Sequence, residues 1–318
     1  IDGVAVWNDD ALIADERKDY GHGIPEAQHL MGTIVRLLGV QEKHVMAAHE
    51  DVYYHLWRER RLPGNVDPLQ SNLKDELERA RLRRIFEQGL GAKVGLALPL
   101  AKSDGKWASG EWFLRGETLY LTPGDSPMGL RLPLDSLPWV KEKDYPWVYP
   151  ADPMTPESQR RALSARTAVQ RDVRNALTPP SPDGTLHSPK TGAAVTAGTT
   201  VPGGAARSPG PQESASWIIR TALCVEPREG RLHVFMPPAE DLSDYLELVS
   251  VVEEAARLNG LPVIVEGEPP PFDPRLRVIK VTPDPGVIEV NMHPALSWRE
   301  LADNTTALYE EARLTRLG

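Results

Sequence analysis

The residues best suited to chemistry lie in the run Ile-Glu-Val-Asn-Met-His at residues 288–293. Side chains alternate between the two faces of a β-strand, so Glu289, Asn291 and His293 are expected to share one face. A carboxylate, an amide oxygen and an imidazole in a row suit a hard divalent cation such as Mg²⁺, which shares phosphate oxygens with a nucleotide. The same alternation is typical of any strand with one solvated polar face, and spacing alone favours that structural interpretation.

A second carboxylate, Glu266, ends the apolar run 263–265 and is followed by Gly267, which permits close backbone approach. A carboxylate at the end of a strand can bind a metal or act as a general base. It can equally be the first solvated residue beyond the sheet. Both interpretations stay open.

Single polar residues interrupt several apolar runs. Arg220 lies within Ile-Ile-Arg-Thr, and its guanidinium can hold a carboxylate or a phosphate through two hydrogen bonds. An internal ion pair, for example with Glu226, explains this arginine equally well. Lys280 and His233 are comparable residues on predicted strands, where such side chains are more often structural than catalytic.

The loop at residues 123–129, Pro-Gly-Asp-Ser-Pro-Met-Gly, shortly precedes Arg131. Its backbone amides and the Arg131 guanidinium can cradle a phosphate. The loop matches neither the phosphate-binding lysine loop nor the dinucleotide fingerprint, and a tight turn after a strand requires the same residue types. A phosphate site and a simple turn are therefore both compatible with this loop.

Two other features are better explained by structure than by catalysis. Cys224 sits in an apolar strand, where a free cysteine is usually buried and inert. A histidine-rich and acidic cluster has metal-type residues but no metalloprotease spacing, and we interpret it as the polar face of a helix or loop. Its members are His44, His49, Glu50, Asp51 and His55.

The composition excludes several classes of protein. The 318 residues carry 45 acidic and 36 basic side chains, a net charge of -9, so no basic field favours binding to nucleic acid. No apolar run reaches the roughly 18 residues that span a bilayer, which argues against a membrane protein. The single cysteine fits a reducing compartment, and we expect a cytoplasmic location. The chain begins with Ile1, and we expect it to be an internal piece of a longer protein.

Residues 1–150 are predicted to form an ordered α+β segment. A helix is expected to begin at Pro25 and to end before Gly39. A second helix is predicted at residues 73–88, and a small antiparallel sheet then follows. Its predicted strands are residues 94–100, 111–114 and 118–121.

Residues 151–215 are predicted to be a largely disordered linker. No Phe, Tyr or Trp occurs between Tyr149 and Trp217, and Pro, Gly, Ser, Thr and Ala dominate residues 178–214. Such a stretch buries too little apolar surface to offset its ordering entropy. A short helix is expected near residues 157–177, ahead of the most biased part.

Residues 216–318 are predicted to form a second α+β segment that carries the candidate site. The fold class that follows is α+β, with a mixed or antiparallel sheet and helices on one face. A hairpin is expected first, then alternating helices and strands. The predicted strands are 217–225, 231–236, 263–266, 276–281 and 287–292, and the predicted helices are 242–259 and 298–314.

Several short strings in both ordered segments resemble the amidoligase-like domain of unknown function that occurs in bacterial transglutaminase-like proteins. They are Ala-Asp-Glu at 14–16, Trp-Arg-Glu-Arg at 57–60, Asn-Val-Asp-Pro at 65–68, Pro-Gly-Asp-Ser-Pro at 123–127, Leu-Pro-Leu-Asp-Ser-Leu-Pro-Trp at 132–139 and residues 280–294. That domain is considered distantly similar to the glutamine synthetase and glutamate-cysteine ligase superfamily. The resemblance implies a glutamine-synthetase-like sheet.

The resemblance also implies a carboxylate-amine ligase that uses ATP and Mg²⁺ on a peptide or amino-acid-like substrate. A transglutaminase-like domain in the same longer chain is the implied partner, with further site residues beyond this piece. The residues implied are Arg220 and Glu266 for catalysis, Arg131 and Lys280 for the cofactor, and Glu289, Asn291 and His293 for the metal.

Two other functions stay open at this level. A non-catalytic module of the same fold can recruit substrate to the transglutaminase-like domain. Alternatively, the Cys224 thiol can carry peptidase or acyl-transfer chemistry, although no histidine lies near it in sequence.

Overall fold

The computed structural model describes residues 7–60, 76–89, 91–103, 105–161, 163, 207–292 and 294–315. The chain divides into two compact units. The larger unit is Ala5–Phe272, and the smaller unit is Asp273–Gly318 together with Ile1–Val4. Most of the predicted linker, residues 164–206, lies outside the described residues.

The described residues of the larger unit form a mixed sheet of seven strands in the order β4-β1-β2-β5-β6-β7, with β3 paired to β2. The outer pairs β4/β1 and β6/β7 are parallel, and the other pairs are antiparallel. The strands are β1 (Met46–Glu50), β2 (Lys93–Ser103), β3 (Lys106–Ser109), β4 (Leu119–Leu121), β5 (Ala222–Arg228), β6 (Arg231–Met236) and β7 (Val263–Gly267). Strands from both predicted α+β segments therefore join in one sheet.

The predicted strand at residues 111–114 is wrong, because these residues pair with no strand in the described part of the chain and β3 precedes them. The predicted strands at 94–100 and 118–121 are confirmed as β2 and β4. However, β4 pairs in parallel with β1 rather than in a local antiparallel sheet. The sequence pattern did not indicate β1 itself.

The predicted hairpin is confirmed as β5 and β6, although β5 begins at Ala222 rather than at Trp217. The two residues between the strands, Glu229 and Gly230, both have left-handed backbone angles, with φ of 49° and 73°. Two consecutive residues with positive φ match the twist of a two-residue hairpin turn. This turn fixes the register of β5 against β6.

Two long helices pack on the same face of the sheet, which confirms the predicted α+β class. They are α1 (Ile24–Leu38) and α4 (Leu242–Asn259). The register pairs Leu96 with Val225 and Val225 with Val234, so alternation directs these three side chains to one face. All three lie in the buried apolar core that contains α1 and α4.

The ends of both helices are encoded locally. Pro25 occupies the first turn of α1, and Gly39 ends the helix in the left-handed conformation with φ 67°. The Asp241 side chain accepts a hydrogen bond from the backbone N–H of Asp244 at the start of α4, and Gly260 ends that helix with φ 63°. Both predicted helices are therefore confirmed.

The opposite face of the sheet carries a second apolar cluster. Ala97, Cys224 and Phe235 are neighbours across β2, β5 and β6, and Met128 belongs to the same cluster. Cys224 is completely buried, and burial raises the pKa of its thiol. This confirms the interpretation of Cys224 as a buried apolar residue and argues against thiol chemistry.

Three further helices are shorter or lie at the surface: α2 (Val52–Arg60), α3 (Glu76–Gln88) and, in the smaller unit, α5 (Trp298–Leu314). The described part of the helix predicted near residues 157–177 is only a 3-10 turn at Glu157–Gln159. The rest of that prediction lies outside the described residues. No described helix combines the length and apolarity that crossing a bilayer requires.

The smaller unit consists of an antiparallel hairpin, β8 (Lys280–Asp284) and β9 (Val287–Asn291), followed by α5. The strand predicted at 276–281 begins only at Lys280. The predicted helix 298–314 is confirmed as α5, and the Ser297 hydroxyl caps its start by accepting a hydrogen bond from the Glu300 N–H at 3.1 Å.

Candidate functional site

The candidate residues from the sequence divide between the two units. Arg131, Arg220 and Glu266 belong to the larger unit, whereas Lys280, Glu289 and Asn291 belong to the smaller one. His293 lies outside the described residues. The two groups are therefore considered separately.

Glu289 and Asn291 lie on one exposed face of β9, as the alternation predicted. The Asn291 Nδ2 donates a hydrogen bond to the Glu289 Oε1 at 2.7 Å. Lys280 on β8 is the register partner of Asn291. The hairpin thus provides one carboxylate and one amide in solvent, a set that can contribute to a hydrated Mg²⁺ but does not enclose it.

Arg220 is 7% exposed and holds the backbone of a neighbouring loop. Its guanidinium donates hydrogen bonds to the carbonyl oxygens of Leu134, at 3.4 Å, and Pro138, and it lies 5.3 Å from the centre of the Tyr145 ring. Burial lowers the pKa of Arg220. Its hydrogen-bond partners are these carbonyls rather than Glu226, so Arg220 is placed as a loop anchor.

Arg131 is 4% exposed, and its guanidinium is also engaged within the protein. The Nε donates to the Thr122 carbonyl at 2.8 Å, and an Nη donates to the Glu50 carboxylate at the end of β1. Burial favours a raised pKa for Glu50, but the neighbouring His55 and Arg131 outweigh it and lower that pKa. This buried ion pair corrects the interpretation of Glu50 as part of a polar helix or loop face.

Glu266 on β7 is bound by two neighbours on the sheet. It accepts a hydrogen bond from the guanidinium of Arg228 on β5, and the Nδ1 of His233 on β6 lies 3.3 Å from its Oε2. Burial alone raises the pKa of Glu266, but its neighbours His233 and Arg228 produce a net lowering. Glu266 is therefore part of a cross-strand cluster rather than the first solvated residue beyond the sheet.

Glu226 on β5 is 6% exposed and only partly compensated. Its Oε2 accepts a hydrogen bond from the Met128 N–H at 3.0 Å and lies 3.5 Å from the Arg228 Nη1. Burial raises the pKa of Glu226, and these two partners offset only part of that effect. Its negative charge would be stabilised by an additional cation.

The register of the sheet explains why these residues meet. Glu226 on β5 lies directly opposite His233 on β6. Glu266 on β7 lies opposite Phe235, two positions beyond His233 on β6. Alternation places them on the face opposite α1 and α4. We call this group the polar face; it consists of Glu50, Arg131, Glu226, Arg228, His233 and Glu266.

The protonation of His233 follows from its neighbours. The Arg228 Nη2 lies 2.5 Å from the His233 Nδ1, and a guanidinium can only donate. The Nδ1 must therefore accept, which places the hydrogen of the neutral ring on Nε2. That Nε2 is buried and has no hydrogen-bond partner within the described residues, so this buried donor is left unsatisfied in the fold.

The sequence of the whole chain matches one known protein family. A family model described as "Putative amidoligase enzyme (DUF2126)" matches residues 1–318. The chain belongs to this family. No curated protein and no solved structure matches the chain significantly, so the glutamine-synthetase-like arrangement stays a prediction.

The chemistry expected of an amidoligase family gives a test for Mg²⁺ on the polar face. Among the described residues, no three His, Cys, Asp or Glu side chains converge as a metal site. A nucleotide-bound Mg²⁺, however, needs only one or two carboxylates, because phosphate oxygens and waters complete its shell. The partly compensated Glu226 fits that requirement, and the Glu50 and Glu266 carboxylates already have arginine partners.

Sequence reasoning missed Arg228, placed Glu50 on a polar helix or loop face, and considered Glu226 and His233 as structural residues. The run Cys-Val-Glu-Pro-Arg at residues 224–228 does contain a signal, because alternation places Glu226 and Arg228 on one face. Nothing comparable identifies Glu50, whose burial depends on Arg131, 81 positions away.

Proposed function

We propose that this chain is a region of an ATP- and Mg²⁺-dependent carboxylate-amine ligase that acts on a peptide or amino-acid-like substrate. The observation that carries the proposal is the polar face, where three carboxylates and two arginines lie buried or partly buried on one side of a sheet. Membership in the amidoligase family supports the reaction class. A transglutaminase-like domain in the same longer chain remains the proposed partner.

The proposed reaction joins a carboxylate to an amine in two steps. The substrate carboxylate attacks the γ-phosphorus of ATP, which gives an acyl phosphate and ADP. The amine then attacks the acyl carbon, phosphate leaves, and the amide forms with release of a proton. Mg²⁺-ATP supplies the phosphoryl group and neutralises part of its charge.

Residues of the polar face have distinct roles in this proposal. Glu226 contributes a carboxylate to the metal, since its own charge is the least compensated of the three. Arg228 offsets negative charge at the transferred phosphoryl group. The His233 Nε2–H donates to a phosphate oxygen, and Glu266 holds Arg228 in place beside His233.

The hairpin of the smaller unit remains the second proposed place for the metal. Glu289 and Asn291 supply oxygen ligands, and Lys280 supplies a cation to a phosphate. We favour the polar face because its groups are buried or partly buried, whereas Glu289 and Asn291 are exposed, and charge interactions are stronger away from water. Variants at the two places distinguish them.

The test is calorimetric titration of Mg²⁺-ATP into the complete protein. Glu226→Gln should abolish the metal-dependent binding, while Glu240→Gln, at an exposed carboxylate away from the polar face, should leave it unchanged. Glu289→Gln reports separately whether the hairpin takes part. Unchanged binding in Glu226→Gln would remove the polar face from the proposal.

A non-catalytic substrate-binding module is the second candidate function. The observation that favours it is that Glu50 and Glu266 already have arginine partners, while the described residues contain no group of three metal-ligating side chains. A module of this kind binds peptide with the same affinity whether or not Mg²⁺-ATP is present. A ligase active site would bind its substrate in a nucleotide-dependent manner or turn it over.

A further inference from the structure

A separate cleft of about 840 Å³ lies in the larger unit, and no residue of the polar face lines it. Its walls come from residues 111–117 and from residues 208–213. Lys43 and His44 contribute to its lining, as do Pro138 and Trp139. Its volume is within the usual range for ligand sites, roughly 300–1,000 Å³.

One wall of this cleft contains residues whose backbone groups have no main-chain partner among the described residues. Glu111 and Phe113 make no main-chain hydrogen bond within the part of the chain that the structure describes. The sequence here, Glu-Trp-Phe-Leu, is rich in strand-forming residues and begins two residues after the end of β3. The segment therefore has strand character, but no strand of the described residues pairs with it.

The same segment is held firmly from behind. The indole Nε1 of Trp112 donates to the Ile219 carbonyl at 2.6 Å, and both Trp112 and Leu114 are buried in the second apolar cluster. The alternate residues Glu111 and Phe113 are exposed and partly buried, respectively. A backbone edge fixed in this way loses little entropy when a ligand pairs with it.

The side chains around the cleft indicate the chemistry of the ligand. Lys43 and Arg115 make no ion pair within the described residues, and neither do Glu111 and Glu117, so free charges of both signs surround the space. By contrast, the bidentate hydrogen bonds of Arg207 to Glu213 lower the pKa of Glu213 to about 2. A peptide can carry charges of both signs, so it can pair with both the cationic and the anionic side chains that line the cleft.

An aromatic side chain adds an apolar surface. Trp139 lines the cleft and is 56% exposed, so its indole is available to pack against a ligand side chain. At the base, His44 is buried and its Nδ1 lies 2.7 Å from the Ser109 hydroxyl. Burial and then the charge of Lys43 lower the pKa of His44, which keeps the ring neutral.

We infer that this cleft binds an extended peptide segment of a substrate polypeptide, which adds as a strand to the unpaired backbone at Glu111 and Phe113. Strand addition obtains affinity from main-chain hydrogen bonds, while side chains along the cleft select among sequences. The inference rests on the proposed function in that it takes the ligase substrate to be a peptide. It places that peptide outside the polar face.

The test uses a fluorescein-labelled pool of random-sequence hexapeptides, with binding to the complete protein measured by fluorescence polarisation. Glu111→Pro removes the backbone N–H donor at this position, whereas Glu111→Ala retains it. Both variants remove the same exposed carboxylate side chain, so only the backbone donor differs between them. Glu111→Pro should weaken binding about fivefold to tenfold, while Glu111→Ala should change it less than about twofold. Trp139→Ala should also weaken binding, whereas Trp147→Ala, at a similarly exposed tryptophan outside the cleft, should not.

A second measurement needs no variant of the protein. The same peptide pool with N-methylated backbone amides cannot donate main-chain hydrogen bonds, and it should bind the unmodified protein at least about tenfold more weakly. Equal binding of both pools, or equal losses in Glu111→Pro and Glu111→Ala, would overturn strand addition. If the protein binds Mg²⁺-ATP but no peptide, the peptide-binding cleft is refuted and the ligase proposal stands. If it binds peptide but no Mg²⁺-ATP, the ligase proposal is refuted and the peptide-binding cleft stands.

Discussion

Removing the guanidinium of Arg131 should destabilise the protein strongly. In Arg131→Met the Glu50 carboxylate keeps its buried position at the end of β1 but loses its cation, and His55 lies 3.8 Å away without a hydrogen bond to replace it. An uncompensated buried charge of this kind costs about 3–5 kcal/mol in the free energy of unfolding. Urea denaturation followed by tryptophan fluorescence measures that loss.

The double variant Glu50→Gln/Arg131→Met separates the charge from the packing. It removes both charged groups, so it should recover at least about 2 kcal/mol relative to Arg131→Met alone. Two results would show that the Glu50–Arg131 ion pair does not compensate the buried Glu50 charge. One is a double variant as unstable as Arg131→Met, and the other is a cost below about 1 kcal/mol for Arg131→Met.

The Glu50–Arg131 ion pair makes the stability of the protein depend on pH. The folded-state pKa of Glu50 is lowered, so its contribution to stability is present above the unfolded value of about 4.3 and is lost as the pH falls through the folded value. Native protein should therefore lose stability on acidification in this range. Glu50→Gln/Arg131→Met should lose less over the same interval.

Three further predictions follow from buried or strained positions. Glu226→Gln should unfold at the same or a higher urea concentration than native protein at neutral pH. Burial raises the Glu226 pKa, so the ionised carboxylate lowers the stability of the native protein. A decrease of more than about 1 kcal/mol in the free energy of unfolding would contradict this. Gly230→Ala should destabilise by more than about 1 kcal/mol in the same assay, since φ is 73° and the added Cβ would lie 1.7 Å from the Asp19 Oδ1. The Cys224 thiol should react with a disulfide reagent only at the rate of unfolding, because it is fully buried; rapid labelling of native protein would show that β5 is open.

The helices and the central hairpin could be predicted because local residues encode them. Pro25 and Gly39 mark the two ends of α1, and Gly260 marks the end of α4. The β5–β6 turn needs two residues with positive φ, and Gly230 is the signal for it. These features depend on few distant contacts.

The edge of the sheet could not be predicted from local sequence. Strand β1 reads Met-Ala-Ala-His-Glu, which has weak strand preference, and it forms because β2 and β4 pair with it on either side. Residues 111–114 show the reverse case, since they have strong strand preference but no partner strand among the residues that the structure describes. Pairing over long sequence distances decided both outcomes.

The candidate site was predictable only in part. Glu266 was identified as a polar residue at a strand end, and the structure places it in a cluster with Arg228 and His233. The ion partners could not be deduced, because the sequence offered Glu226 as one possible partner of Arg220, whereas the fold brings it to Arg228. A single sequence gives residue types and local faces, and the register of distant strands selects among the possible partners.

The most direct test of the proposed ligase is calorimetric titration of Mg²⁺-ATP into the complete protein and into Glu226→Gln, with Glu240→Gln as the control. The account predicts binding that requires the metal, disappears in Glu226→Gln and persists in Glu240→Gln. Absence of binding to well-folded native protein, or undiminished binding to Glu226→Gln, would contradict the assignment of nucleotide binding to the polar face.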